Sequence, residues 1–294
     1  MLKKTTHAFS FKLLLVIASS LLISTSSTQS EEINNSAAVN VRYDNYPAWK
    51  KASLTSGGYW KSYYSDTEYI VTAPKYWGCS GWTKAAVITG ITGMLTAVDD
   101  DIMDEVQDSR TSSRDNFTLE FKPVGDGIYT VPAFGLLYLY GHFGKNLKAR
   151  RTALTAVESL ALGGLFGNII QRLSTRERPK NGKKWGGPGI DTTDLAFPSG
   201  HAIAGFAVAT VVASEYGNIF GVAPLAYFIA SMGSLERIND NKHRPSDIFL
   251  GSAIGYFTAR TLYKLHNGIN DDKITLFPSI DADGTALLSM NVWW

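Results

Sequence analysis

Six apolar segments of helix length follow one another between Thr83 and His266, and they constrain the fold before any motif is considered. They run Thr83 to Gln107 (apolar from Ala85 to Val98, then acidic from Asp99 to Asp108), Tyr129 to Phe143, Ala149 to Thr175, Ala202 to Tyr216, Val222 to Arg237 and Ser246 to His266. Runs this long exceed ordinary strands, and apolar residues nearly all round suit helices buried in a bundle. The expected class is all-α, with a six-helix bundle core over residues 83–267. Arg110 to Gly127, with Pro123 and two glycines, reads as an exposed polar loop.

Crossing of a membrane is the next question. Ile219 to Leu235 is free of charge for 17 residues and Gly127 to Gly144 for 18, but both carry polar residues, glycine or proline. Glu158, Glu215 and Arg260 interrupt other runs. The favoured reading is a soluble or peripherally attached bundle. At the N-terminus, Lys3 and Lys4, the apolar stretch Phe9 to Ile23 and the small-residue series Ser24 to Ser30 read as a secretory signal peptide over residues 1–30. Export to the periplasm or cell envelope follows, with membrane association an option. The one cysteine, Cys79, excludes an internal disulfide and a cysteine-based zinc site, and reads as a small buried residue.

The formal net charge of +2 includes signal-peptide lysines, so a nucleic-acid partner is not implied. Residues 31–82 read as an irregular, aromatic-rich lead-in packed on the core. Residues 268–294 read as a β-hairpin tail, with Ile274 to Phe277 and Ala286 to Trp294 flanking a turn at Asp281 to Gly284.

Three clusters at helix ends carry the chemistry. Arg176-Glu177-Arg178-Pro179 ends the Ala149 to Thr175 run. Pro198-Ser199-Gly200-His201 opens the next; Ser199 is a favoured N-cap, and the unpaired amides behind it with the positive helix end suit an anion. Arg237, His243 and Asp247 join the last two runs. His243 and Asp247 are four apart across a helix start, so the carboxylate can turn back to one imidazole nitrogen and leave the other free to attack. Guanidinium groups suit phosphate oxygens.

In this order the clusters resemble the type-2 phosphatidic acid phosphatases, which share a fold and site with bacterial class A acid phosphatases and vanadium haloperoxidases. The family pattern is Lys-(six)-Arg-Pro, Pro-Ser-Gly-His and Ser-Arg-(five)-His-(three)-Asp. Arg178-Pro179, Pro198 to His201, and Arg237, His243 and Asp247 match at family spacing. The family's lysine falls on Gln171, beside Arg172, and its third-cluster serine on Glu236. The resemblance implies a phosphomonoester hydrolase in which His243 is the nucleophile, Asp247 its orienting group and His201 the acid. Arg178, Ser199, Gly200 and Arg237 would hold the phosphate, with Gln171, Arg172, Arg176 or Lys180 near the lysine's place. No cofactor or metal is implied. The substrate would be a lipid phosphate, an isoprenyl diphosphate or a small soluble ester, and a homo-oligomer is an option.

Three other readings attach to particular residues. A vanadate-dependent haloperoxidase would use the same site. Asp100-Asp101-Ile102-Met103-Asp104 spells a pattern that binds magnesium diphosphate in isoprenoid enzymes. A non-catalytic envelope protein on this scaffold would not need His201, His243 and Asp247 intact.

Overall fold

The computed structural model describes residues 53–181, Trp185, residues 194–267 and the strands Ile274–Ile280 and Ala286–Val292. The signal-peptide segment, the first part of the lead-in and the turn at Asp281 to Gly284 lie outside the described residues. Eight helices are present among them: α1 Gly57–Thr72, α2 Cys79–Asp108, α3 Ser112–Leu119, α4 Gly127–Phe143, α5 Leu147–Ser174, α6 Gly200–Tyr216, α7 Val222–Asn239 and α8 Pro245–Asn267. The all-α class holds, and six of the eight are the expected apolar runs. Their starts are set by side chains that accept orphan amides: Asp126 from Ile128, Asn146 from Ala149 and Ser199 from Ala202. β1 Ile274–Ile280 and β2 Ala286–Val292 pair antiparallel, Ile274 opposite Val292.

Helix α6 is central and packs against α5, α7 and α8. Ala202, Ala207 and Val211 are fully buried along it, and the adjoining core holds Tyr59, Phe134, Tyr138 and Leu154. At the tightest point a side chain on Gly255 of α8 would meet the Ile203 carbonyl oxygen at 2.2 Å. This close approach fixes the register of α6 against α8 and brings the two helix starts together.

The structure corrects three expectations. Part of the lead-in is a regular helix, α1, followed by a 3-10 turn at Ala73–Tyr76. Its buried face is Tyr59, Ser62 and Asp66; two of the three are polar, which hides the helical period, while the conspicuous Trp60 and Tyr64 face outward. The polar loop contains α3, capped by Thr111, whose Asp115 and Thr118 side chains accept hydrogen bonds from Asn239 of α7. Polar tertiary contacts, rather than an apolar stripe, hold it. Cys79 is exposed, because it is the first residue of α2 and precedes that helix's buried face. Among the described residues one helix, α5, is long and apolar enough to cross a membrane, and half of that apolar stretch is buried within the protein.

Candidate active site

Each functional side chain sits at a helix end. The turn before α6 is held from two sides. From the end of α5, Gln171 Nε2 donates to the Pro198 carbonyl (2.7 Å) and Ser174 Oγ to the Phe197 carbonyl (2.9 Å). From the start of α8, the Asp247 carbonyl accepts from the Ser199 amide (2.9 Å). The Phe197–Pro198 peptide is cis. Ser199 is fully buried, and its Oγ accepts from the Ala202 amide at 3.4 Å. Gly200 and His201 therefore open α6 with amides at the positive end of a 17-residue helix.

His201 lies 3.5 Å, ring Nε2 to guanidinium Nη1, from Arg237. Burial, then the positive charges of Arg237 and His243, hold its pKa down to about 4, with Asp126 opposing. The unliganded imidazole is thus neutral, with Nε2 facing an arginine donor. Its own backbone is crowded from the other side: Gly125 has φ +81°, and a side chain there would meet the His201 carbonyl oxygen at 2.2 Å. Only glycine fits that left-handed position so close to another backbone.

Arg237, at the end of α7, is buried, and its Nε donates to Glu236 in a short ion pair. Its Nη2 has no hydrogen-bond partner among the described residues. A buried guanidinium donor left open is costly, and an anion is the group that would satisfy it. The Arg237 carbonyl accepts from the amides of Lys242 and His243, which folds the connection back and sets the His243 ring beside α6.

His243 is buried, and its Nδ1 lies 3.0 Å from the Ala196 carbonyl oxygen. A carbonyl can only accept, so Nδ1 carries the proton and Nε2 keeps its lone pair. The expected hydrogen bond from His243 to Asp247 is not what orients the ring: Asp247 Oδ2 stands 3.8 Å from Nδ1. The Asp247 carboxylate is engaged elsewhere, by Arg176 Nη1 (2.7 Å) and by the Arg244 amide (2.7 Å) at the start of α8. Ala196 takes the orienting role because its amide is itself fixed to the Arg176 carbonyl (2.8 Å).

Sequence reasoning missed Asp99, and it placed Arg176 near the phosphate rather than in the interior. Arg176 is fully buried and bonds Asp247, Ser246 Oγ (2.6 Å) and Asp99 (2.6 Å), while Asp99 also accepts from the Ser246 amide (2.9 Å). This rules out Arg176 as a substitute for the family's lysine. Asp99 shares a buried face of α2 with Thr92 and Met103, a spacing that could have marked it. Arg178 is half-buried and paired with Asp194 (2.8 Å), near enough to His201 to act on its charge. Gln171 spends its amide on the turn and so positions rather than binds. Arg172 is exposed and makes no hydrogen bond or ion pair among the described residues, so the structure does not bring it to the cluster. Asp100 faces Arg244 (3.5 Å) and Asp101 and Asp104 are exposed. Among the described residues, their carboxylates do not converge into a three-ligand cluster.

The geometry is that of a histidine pair with an arginine-lined anion site at one end of a helical bundle. Residues 152–271, which include all three clusters, match the model of the PAP2 superfamily. Over 127 residues, 42% of this chain, the sequence is 28% identical to a lipid A 1-phosphatase from Porphyromonas gingivalis. That match spans about a quarter (26%) of the relative's length. A transmembrane PAP2-type phosphatidylglycerolphosphate phosphatase from Bacillus subtilis has a similar fold, with TM-score 0.50 and 15% identity over 63% of this chain and 96% of that one. LpxE from Aquifex aeolicus aligns with TM-score 0.44 and 21% identity over 57% of this chain and 95% of that one.

Proposed function

We propose that this chain is a phosphomonoester hydrolase of the cell envelope that acts on a phosphorylated lipid through a phosphohistidine at His243. The observation that carries this reading is the open Nη2 of buried Arg237 beside two histidines, one with a free Nε2. His243 Nε2 attacks phosphorus, the bond from phosphorus to the ester oxygen breaks, and His201, which is neutral in the free protein and takes up a proton when the substrate's negative charge lies beside it, gives that proton to the departing alcohol. Asp247, 3.8 Å from the ring, stabilises the cation that forms. Neutral His201 then takes a proton from water as it attacks the phosphohistidine, which releases phosphate and restores both rings. Arg237, Arg178 and the Gly200 amide hold the equatorial oxygens, and the Ser199 hydroxyl has its proton left to donate.

A lipid substrate is supported by two features. A groove of about 270 Å³, lined by Val124, Gly125, Gly205, Val208 and Ala230 among others, is almost wholly apolar, and its Gly125 abuts the His201 backbone. On α4, Ile128, Leu136, Leu139 and Phe143 form one exposed apolar stripe suited to a lipid surface. Export by the N-terminal segment would place the chain in the periplasm or envelope.

The test is turnover by the purified full chain of phosphatidic acid in mixed micelles, of glycerol phosphate and of p-nitrophenyl phosphate. Faster release from the lipid is expected. A folded protein that releases phosphate from none of them refutes the reading.

A further inference from the structure

At the other end of α8, 19 residues and about 28 Å beyond Asp247 at 1.5 Å per residue, three side chains from separate helices point into one buried place. They are Asp66 of α1, Glu158 of α5 and His266 of α8. Asp66 and Glu158 are fully buried and His266 is 7% exposed. His266 Nε2 lies 3.0 Å from Asp66 Oδ2 and 3.6 Å from Glu158 Oε2, and one ligand atom from each residue falls within 4.8 Å of the others. Both Glu158 oxygens lack a hydrogen-bond partner among the described residues, although the side chain is aimed into the cluster. Without a metal, His266 Nε2–H donates to Asp66; on the far side of the ring, Nδ1 is 3.4 Å from the Thr155 hydroxyl, which can accept the ring proton when Nε2 turns its lone pair to a metal.

Two carboxyl groups and an imidazole buried together need a shared proton or a bound cation to balance their charge, because water cannot screen it. We propose that Asp66, Glu158 and His266 bind one divalent transition-metal cation, with zinc the best fit, at a structural site that fastens α1 to the bundle. A tetrahedral zinc ion with bonds near 2.0–2.1 Å requires ligand atoms about 3.3 Å apart. The observed 3.0 and 3.6 Å bracket that value. The mixed nitrogen and oxygen donors favour zinc over calcium or magnesium, which take oxygen shells. The competing state is a proton shared by the two carboxyls. A metal would displace that proton.

The experiment is metal analysis and thermal melting of the full chain, purified without a metal column and loaded with zinc or with cobalt as a visible probe. About one equivalent of zinc per chain is expected, with a cobalt spectrum typical of nitrogen and oxygen ligation and a melting point lowered by slow chelation. Glu158→Gln and His266→Gln should each lose the metal and the cobalt spectrum. Wild-type protein that retains no metal after loading overturns the proposal. So does metal that persists in both variants, or a Glu158→Gln protein that melts at or above the wild type, since glutamine imitates the protonated carboxyl. If the variants do not fold, wild-type stoichiometry and the cobalt spectrum decide alone.

Discussion

Arg176 and Asp247 form a buried ion pair, Nη1 to Oδ1 at 2.7 Å, so the carboxylate beside the candidate nucleophile is bonded to an arginine and not to the histidine. Removal of one partner from such a pair strands the other charge in a dry interior, at a cost of about 3–5 kcal/mol. Arg176 holds two carboxylates, Asp247 and Asp99. Arg176→Ala is therefore expected to melt well below the wild type, and Arg176→Lys, which keeps the charge but not the fork, to fall between them. Thermal denaturation read with phosphatase turnover checks this; an Arg176→Ala protein as stable as the wild type would refute it.

His243→Ala and His201→Ala remove different roles, the nucleophile and the proton carrier. The first should abolish turnover of p-nitrophenyl phosphate, and the second should lower it by roughly 10²–10⁴-fold, both with helical circular dichroism unchanged. Rapid-quench labelling with a ³²P-substrate should show acid-labile phosphoprotein in the wild type and none in His243→Ala. Brief exposure to EDTA leaves the wild-type rate intact, because no step passes through the distant Asp66, Glu158 and His266 cluster.

His201 is held to about 4 by burial first and then by Arg237 and His243. A bound phosphate puts negative charge beside it and raises that value. NMR of the histidine rings should show His201 titrating near 4 in the free protein and about a unit or more higher with inorganic phosphate bound. The unfolded ring titrates near 6.5, so between about 4 and 6.5 the folded state binds fewer protons and stability rises with pH. His201→Asn should lose that part of the slope. A free His201 that titrates at 6.5 or above contradicts the assignment.

Gln171 bonds the Pro198 carbonyl across 27 positions of sequence. Gln171→Ala removes that support and leaves the carbonyl without its donor, for a loss of about 1 kcal/mol. The effect should fall on kcat more than on KM, since the displaced turn carries His201. Steady-state kinetics distinguish this from a lost phosphate contact, which would raise KM.

The six core helices were legible because long apolar runs have few alternatives to burial in a bundle. Helices α1 and α3 were not, because Ser62, Asp66 and Asn239 satisfy them with polar contacts that leave no apolar period. At the site, spacing was enough to nominate His201, Arg237, His243 and Asp247, which the fold brings to one place. It could not say which acceptor the His243 ring would meet, since Ala196 is 47 residues away and offers only a backbone oxygen. Nor could it separate Arg176 from Arg178, two residues apart, of which one is sealed inside and the other borders the mouth.

The contact between Gly255 and the Ile203 carbonyl has a mechanical meaning. With no room for even one methyl group, α6 and α8 are joined as if by a keyed shaft, and neither slides or rolls without the other. His201 opens one half of that joint and His243 lies two residues before the other, so the seam sets where the two chain segments meet while the Arg237 and Ala196 carbonyls set the His243 ring. Outer faces can change freely under such an arrangement. A single added carbon at the seam would spread the pair without removing any reactive group.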